Sequence, residues 1–247
     1  MVEKYIAERI RTPYGISAIV PESTPVVCFG NFPTAKVLTI GINPSSNEFQ
    51  KILEGSRVLL SEKERRLADL KYLGAFSTPD LTDFQVEEVW NACISYFKGP
   101  YYKKWFDLME TFVNIPLGAS YFDGSSCHLD LIQWATDPIW GGLFPERADE
   151  AAQLLVDDLP FLLKQIQESS AEIIFLSGKT VIESLGEIFE FENLGKTAAQ
   201  GKHAQYSLYK GNAGNKMLFG TTMNIASTRT SNAHRLYLQE WLASQIK

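Results

Sequence analysis

Short apolar runs rich in β-branched and aromatic residues alternate along this chain with longer stretches whose apolar positions recur every three or four residues. The runs at residues 26–29, 37–42, 120–123 continuing to 131, 173–177 and 223–226 predict strands. Residues 206–209 and 216–219 are weaker strand candidates, joined as a hairpin across residues 211–214. The central runs are apolar on both faces, as expected of parallel strands covered by helices on each side. Between them, Ser61-x-x-Glu64 and Thr82-x-x-Gln85 have the capping-box form of a helix start. The second opens a stretch with Val86, Val89, Trp90, Cys93 and Phe97 along one face. Residues 146–169 place Leu155, Leu159, Leu162, Leu163 and Ile166 at helical spacing, with Pro160 expected to kink or divide the helix. A last helix from about Asn232 carries Leu238, Trp241, Leu242 and Ile246 in one stripe. The alternation predicts an α/β fold, a three-layer α/β/α sandwich with a mainly parallel central sheet. Ligands of such sheets sit beyond the carboxyl ends of the strands, which directs attention to the residues after Ile42, Leu131, Ser177 and Ala226.

The chain has 247 residues, 45% hydrophobic and 21% charged, a composition that suits one large domain over residues 1–247. Residues 1–25 read as an N-terminal extension packed on it. Cys28, Cys93 and Cys127 show no C-x-x-C spacing and read as free thiols of a reducing compartment. No signal-peptide pattern opens the chain and no apolar run is long enough to span a bilayer, so a cytoplasmic protein with no membrane partner is expected. The net charge of −6 counts against tight non-specific binding to long DNA. Local basic clusters remain at residues 103–104, 196–203, 210–216 and 229–235, each better read, taken singly, as solvated surface.

The run at residues 37–42 ends in Gly41-Ile42-Asn43-Pro44-Ser45, followed by Phe49. Here the chain resembles the uracil-DNA glycosylase superfamily, whose mismatch-specific and single-strand-selective branches carry Gly-Ile/Met-Asn-Pro-Gly after a buried strand. Ser45 replaces the final glycine. The resemblance implies that Asn43 orients water at the sugar carbon, that backbone N–H groups around Ile42 and Ser45 support the base oxygen, and that Phe49 stacks on an extruded base. A neutral amide can orient water through its carbonyl but is a poor general base. The same residues also suit a structural turn with Phe49 in the core.

Superfamily members commonly present an asparagine that reads the base edge where this chain has Cys127-His128-Leu129-Asp130. An ionised carboxylate only accepts hydrogen bonds, so Asp130 would repel uracil O4 and suit an exocyclic amine. Asp130 could equally face a helix N-terminus or pair with an arginine. His128 and Asp130 lack a third ligand for a metal. Ser177-Gly178-Lys179-Thr180 resembles the family's strand–helix junction and lacks the glycine spacing of a P-loop, with Lys179 a candidate phosphate contact. The family's second motif, His-Pro-Ser, falls on Ser227-Thr228-Arg229, where histidine and proline are missing. Arg229 could instead stabilise a leaving base or a phosphate, and Ser227, Thr230 and Ser231 could grip phosphate at the helix start. His234, a turn later, reads as a surface or packing residue.

The reading is a monofunctional DNA glycosylase that acts on a damaged, deaminated or modified base, needs no metal or organic cofactor, binds DNA transiently and is monomeric. The alternatives are a non-catalytic nucleic-acid- or partner-binding protein of the same fold, and a nucleoside or nucleotide hydrolase.

Overall fold

The computed structural model describes residues 2–99, 102–197 and 205–246. The strands are β1 (Val37–Gly41), β2 (Gln50–Leu53), β3 (Ser56–Leu59), β4 (Ser126–Asp130), β5 (Ile173–Ser177), β6 (Phe191–Lys196), β7 (Ser207–Ala213) and β8 (Lys216–Thr221). The helices are α1 (Lys4–Ile10), α2 (Leu70–Leu73), α3 (Asp83–Ile94), α4 (Trp105–Met109), α5 (Trp140–Glu146), α6 (Ala148–Glu168), α7 (Lys179–Gly186) and α8 (Asn232–Gln245). Six strands form one mainly parallel sheet in the order β4-β1-β5-β8-β7-β6, and β2-β3 form a separate ribbon. This is the α/β class that the alternating pattern predicts. Among the described residues no helix is long and apolar enough to cross a membrane. The chain divides into two compact units.

One unit comprises Asn31–Ile42, Lys103–Leu129 and Glu168–Lys247 and contains the sheet. All five residues of β1 and the first four of β5 are buried, which explains why they are apolar apart from Thr39. β1 pairs in parallel with β5, and β5 with β8. The expected hairpin is present as β7-β8, but its turn lies later than expected: residues 211–213 belong to β7, with Gly211 opposite Leu218 and Ala213 opposite Lys216. Its two-residue turn contains Gly214 at φ 65°, in the left-handed region that glycine adopts without steric cost. Two strand expectations are corrected. Residues 120–125 form a turn before β4, in which Ser120 N–H donates to Ser125 Oγ at 2.9 Å and Ser125 N–H donates to Asp123 Oδ1 at 2.8 Å. Residues 223–226 leave the sheet after β8. Met223 N–H bonds the Thr221 hydroxyl at 3.2 Å and Ala226 N–H the Asn224 side chain at 3.1 Å, so side chains take the place of a strand neighbour. β6, which carries mostly exposed residues, gave no apolar run to read.

The other unit comprises Met1–Gly30, Asn43–Tyr102 and Asp130–Gln167. Residues 1–25 contribute Ile6, Ile10, Ala18 and Val20 to its buried core. At its centre the Arg9 guanidinium donates to Asp158 Oδ1 and to Gln133 Oε1, both at 2.6 Å. Asp158 Oδ2 accepts the Gln133 N–H at 2.7 Å, and Gln165 of α6 donates to the Val27 carbonyl at 2.7 Å. Arg9 is 6% and Asp158 0% exposed, and the rings of Tyr14, Trp134 and Phe161 surround the guanidinium. Burial pushes the Asp158 carboxyl up to about 6, against the opposing pull of Arg9 and the Gln133 N–H.

Residues 26–29, expected as a strand, are extended and buried but belong to no strand. Val26 N–H bonds the Gln133 carbonyl at 2.7 Å, and the Gln165 amide takes the next carbonyl. The Thr82–Gln85 capping box opens α3 with both of its reciprocal bonds. The Ser61–Glu64 box opens no helix. Lys51 captures the Glu64 carboxylate at 2.6 Å, and that bond with the Ser61 hydroxyl holds Glu64 down at about 2. Pro160 does not divide α6, which runs unbroken over 21 residues. The proline and Val156, whose carbonyl it cannot engage, both lie on the exposed side, while Leu154, Asp158, Leu162, Gln165 and Ile166 form the buried stripe.

Removing one partner of a buried ion pair leaves an uncompensated charge and costs about 3–5 kcal/mol. Arg9→Met is therefore expected to destabilise the protein by that amount at pH 8 in urea unfolding. Without Arg9, the Asp158 value rises further above its ordinary 3.8. A raised value contributes stability that is complete below the unfolded value and lost as pH rises through the folded one. The variant should accordingly lose more stability between pH 5 and pH 8 than the parent does. A second expectation concerns Gly220 of β8, where an added Cβ would meet Ile182 Cδ1 of α7 at 2.6 Å and Leu176 Cβ of β5 at 3.2 Å. Gly220→Ala should cost about 1–3 kcal/mol in urea unfolding, and Ile182→Val in the same chain should recover part of the loss.

Candidate functional site

The chain leaves β1 at Gly41, passes the half-buried Ile42 and turns at Asn43-Pro44-Ser45. The Asn43 side-chain nitrogen donates to Thr136 Oγ1 at 3.0 Å and towards the Trp134 carbonyl at 3.4 Å. A backbone carbonyl can only accept, so these partners orient the amide with its NH2 group inward. Among the described residues no hydrogen bond reaches Asn43 Oδ1, which leaves a neutral, fixed acceptor.

Thr136 is held in turn by isolated backbone bridges to Ile19 on one side and Ser45 on the other. Trp134 is 2% exposed, packs against Tyr14 at 5.0 Å between ring centroids and lies under the Arg9 guanidinium. The Ser45 hydroxyl accepts the Asn47 N–H at 3.3 Å and caps a single 3-10 turn, Ser46–Glu48. Glu48 at its end accepts the Tyr96 hydroxyl proton at 2.8 Å. Arg57 of β3 forms a two-point ion pair with Asp137, at 2.5 and 2.8 Å, and reaches the Ser46 hydroxyl at 3.4 Å. The motif loop is thus fastened at both ends.

Phe49 is 2% exposed and lies in the core of this unit, so a base could stack on it only after a neighbouring side chain moves. Asp130, the last residue of β4, is buried as well. Thr136, Trp134 and Arg57 went unrecognised in the sequence. Thr136 lies 93 residues from Asn43, and a single threonine carries no periodic or motif signal of such a contact.

The remaining candidates belong to the unit that contains the sheet. Lys179 opens α7, is largely exposed, and pairs with Glu183 one turn on at 3.5 Å. Arg229 is exposed, and its N–H bonds the Ser227 hydroxyl at 3.2 Å. Thr230 is buried and donates its hydroxyl proton to the Asn224 carbonyl at 2.7 Å. Ser231 caps α8, with its hydroxyl 2.7 Å from His234 Nδ1. Arg235 bonds the carbonyls of Ile225 and Ser227 at 2.9 and 3.0 Å, so the loop preceding α8 is rigidly tied. Thr230 and Ser231 therefore already have intramolecular partners at the positions proposed for phosphate, and His234 is a buried residue. The basic run at residues 196–203 lies largely outside the described residues.

His128 of β4 is buried, with Nδ1 2.8 Å from Thr39 Oγ1 and its ring edge-on to Trp105 and Phe106. Among the described residues no group of three histidines, cysteines or carboxylates is placed to hold a metal ion. No protein-family model matches the chain, and no curated protein matches its sequence.

Proposed function

We propose that the chain is a monofunctional DNA glycosylase with the three-layer fold of the uracil-DNA glycosylase superfamily. The observation that supports this most strongly is the Asn43 amide, anchored through nitrogen by Thr136 and Trp134 with its carbonyl oxygen unused among the described residues. Hydrolysis of an N-glycosidic bond breaks the bond between the sugar C1′ and the base nitrogen, adds the oxygen of water to C1′, and sends the electron pair and a proton to the base. Positive charge develops on the sugar during that step. A fixed neutral acceptor orients the incoming water without needing to hold its proton, and pre-orientation removes the entropy of finding that geometry.

In this reading Phe49 stacks the base once uncovered, and Asp130 reads its edge, favouring an amino-bearing base over uracil. The N–H groups around Ile42 and Ser45 support the base oxygen. Arg229 and Lys179 engage phosphate, with Ser227, Thr230 and Ser231 shaping the loop that carries Arg229. The scheme calls on no metal or organic cofactor, and DNA contact is transient, in keeping with the net charge of −6. The burial of Phe49 favours one competing reading, a nucleic-acid-binding protein of this fold without excision activity.

An alkali-cleavage assay for abasic sites decides between them, on single- and double-stranded oligonucleotides carrying uracil, hypoxanthine, xanthine, cytosine and modified cytosines. Strand breaks that fall about 100-fold or more in Asn43→Ala are expected, the scale typical of losing one pre-oriented catalytic group. Breaks at uracil in preference to every amino-bearing base overturn the role of Asp130. Bound DNA with no breaks on any base overturns the glycosylase reading.

A further inference from the structure

Gln50 opens β2, the strand that follows the Asn43 loop, and is 8% exposed. A buried side-chain amide carries two donor hydrogens and an acceptor oxygen that need partners, and the other buried amides have them. Asn114 donates to Glu110 at 3.0 Å, Gln133 to Gln165 at 3.3 Å, and Gln165 to the Val27 carbonyl at 2.7 Å. Among the described residues no hydrogen bond reaches the Gln50 amide, and its polar atoms keep part of the residue's small remaining surface. Such a group lowers stability for as long as it stands alone, and a ligand that satisfies it recovers the loss.

The register of the β2-β3 ribbon gives the direction of this amide. Successive residues of a strand alternate between faces, and residues directly opposite one another share a face. Gln50 lies opposite Leu59 and Ile52 opposite Arg57, so Gln50 and Arg57 are on the same face of the ribbon. Arg57 binds Asp137 and reaches the Ser46 hydroxyl at 3.4 Å, which turns that face toward the Asn43 loop and the segment that holds it. Lys51 is on the opposite face, where it pairs with Glu64. Two buried donors without a partner, Arg66 Nε and Trp134 Nε1, belong to residues that touch the same loop. Arg66 donates through Nη1 to the Asn47 carbonyl at 2.6 Å, and the Trp134 carbonyl receives the Asn43 amide. Together with Asn43, four residues with an unused polar group border one loop.

Resting on the reading of this loop as a glycosylase site, we infer that Gln50 determines which ligand edge the site accepts: its amide pairs with a nucleobase that presents a hydrogen-bond donor beside an acceptor, in either order. Thr136 and the Trp134 carbonyl hold the Asn43 amide in one orientation, whereas among the described residues nothing orients that of Gln50. Rotation about its last side-chain bond exchanges donor and acceptor. One residue therefore matches both the amino group and ring nitrogen of cytosine and the carbonyl and ring N–H of uracil. The fixed amide orients water, and the free one admits the base. Any preference for an amino-bearing base comes from Asp130 and not from Gln50.

The test compares Asn43→Ala protein, in which no base is lost, with the same protein carrying Gln50→Met, an apolar side chain of similar volume. The ligands are duplexes with one mismatched uracil, one mismatched cytosine, or a tetrahydrofuran abasic analogue at the same place. Gln50→Met should weaken binding of the uracil and cytosine duplexes by about 10-fold or more, the scale of losing a bidentate amide pair. Binding of the abasic duplex should not change. The melting temperature should stay the same or rise, because the substitution removes a buried polar group that has no partner.

A fall in melting temperature overturns the proposal, since the amide would then serve the fold. Unchanged affinity for both base-bearing duplexes overturns it as well, as does a parent that binds none of the three. A loss at only one of the two bases removes the pairing in either order. Base-dependent binding that is lost in Gln50→Met, from a chain that cleaves no base in the abasic-site assay, retains the role of Gln50 and removes the chemistry. Excision that Gln50→Met does not slow, in a chain with Asn43 intact, removes the role of Gln50 alone.

Discussion

The contact between Arg9 and Asp158 joins the start of the chain to the middle of α6 and is buried. Two charges in such a place are tolerated only when each remaining polar atom finds a partner, and here the partners are informative. Arg9 also binds the Gln133 side chain, and Asp158 also binds the Gln133 N–H. The pair therefore fixes the backbone at Gln133, immediately before Trp134 and Thr136, the two residues that hold the Asn43 amide. The geometry of the candidate site descends from this network through a few covalent and hydrogen-bonded steps. Residues 1–25 are thereby part of the site's support, through Arg9 and through the bridge from Ile19 to Thr136.

The site itself is built to be neutral. Asn43 is bound by a hydroxyl and a carbonyl, and Arg57 and Asp137, which fasten the loop, neutralise each other. Such an environment holds a polar group in position without drawing a proton to it, which is the requirement for orienting water in a reaction whose charge develops on the substrate. The cations of the segment that follows are likewise paired, Lys51 with Glu64 and Arg65 with Asp69.

Elements with strong local signals were legible in the sequence. β1 and β5 are mainly apolar runs, and the Thr82–Gln85 box opens α3. The β7-β8 hairpin was a weaker signal, and its turn falls at residues 214–215, after the Gly211 that the sequence placed in it. Equally local signals failed elsewhere. Glu64 accepts both the Ser61 N–H and the Ser61 hydroxyl, yet only a turn follows Ser61 and no helix starts there. Gln165 takes a carbonyl of residues 26–29 that a neighbouring strand would otherwise use. Pro160 fails to break α6 because buried apolar residues on both sides of it outweigh one missing hydrogen bond on the exposed face.

By itself the sequence determined the α/β class and the position of the Asn43 loop at the end of a buried strand. These follow from hydrophobic periodicity, a summed property of neighbouring residues. Only the tertiary structure decided that Asp158 and Gln165 lie in the buried stripe of α6, that Thr136 and Trp134 orient Asn43, and that Phe49 is covered. Each of these depends on a single polar or steric contact between residues far apart in the chain. Contacts of that kind leave no periodic trace in the sequence, because one partner gains its meaning only when folding places the other against it.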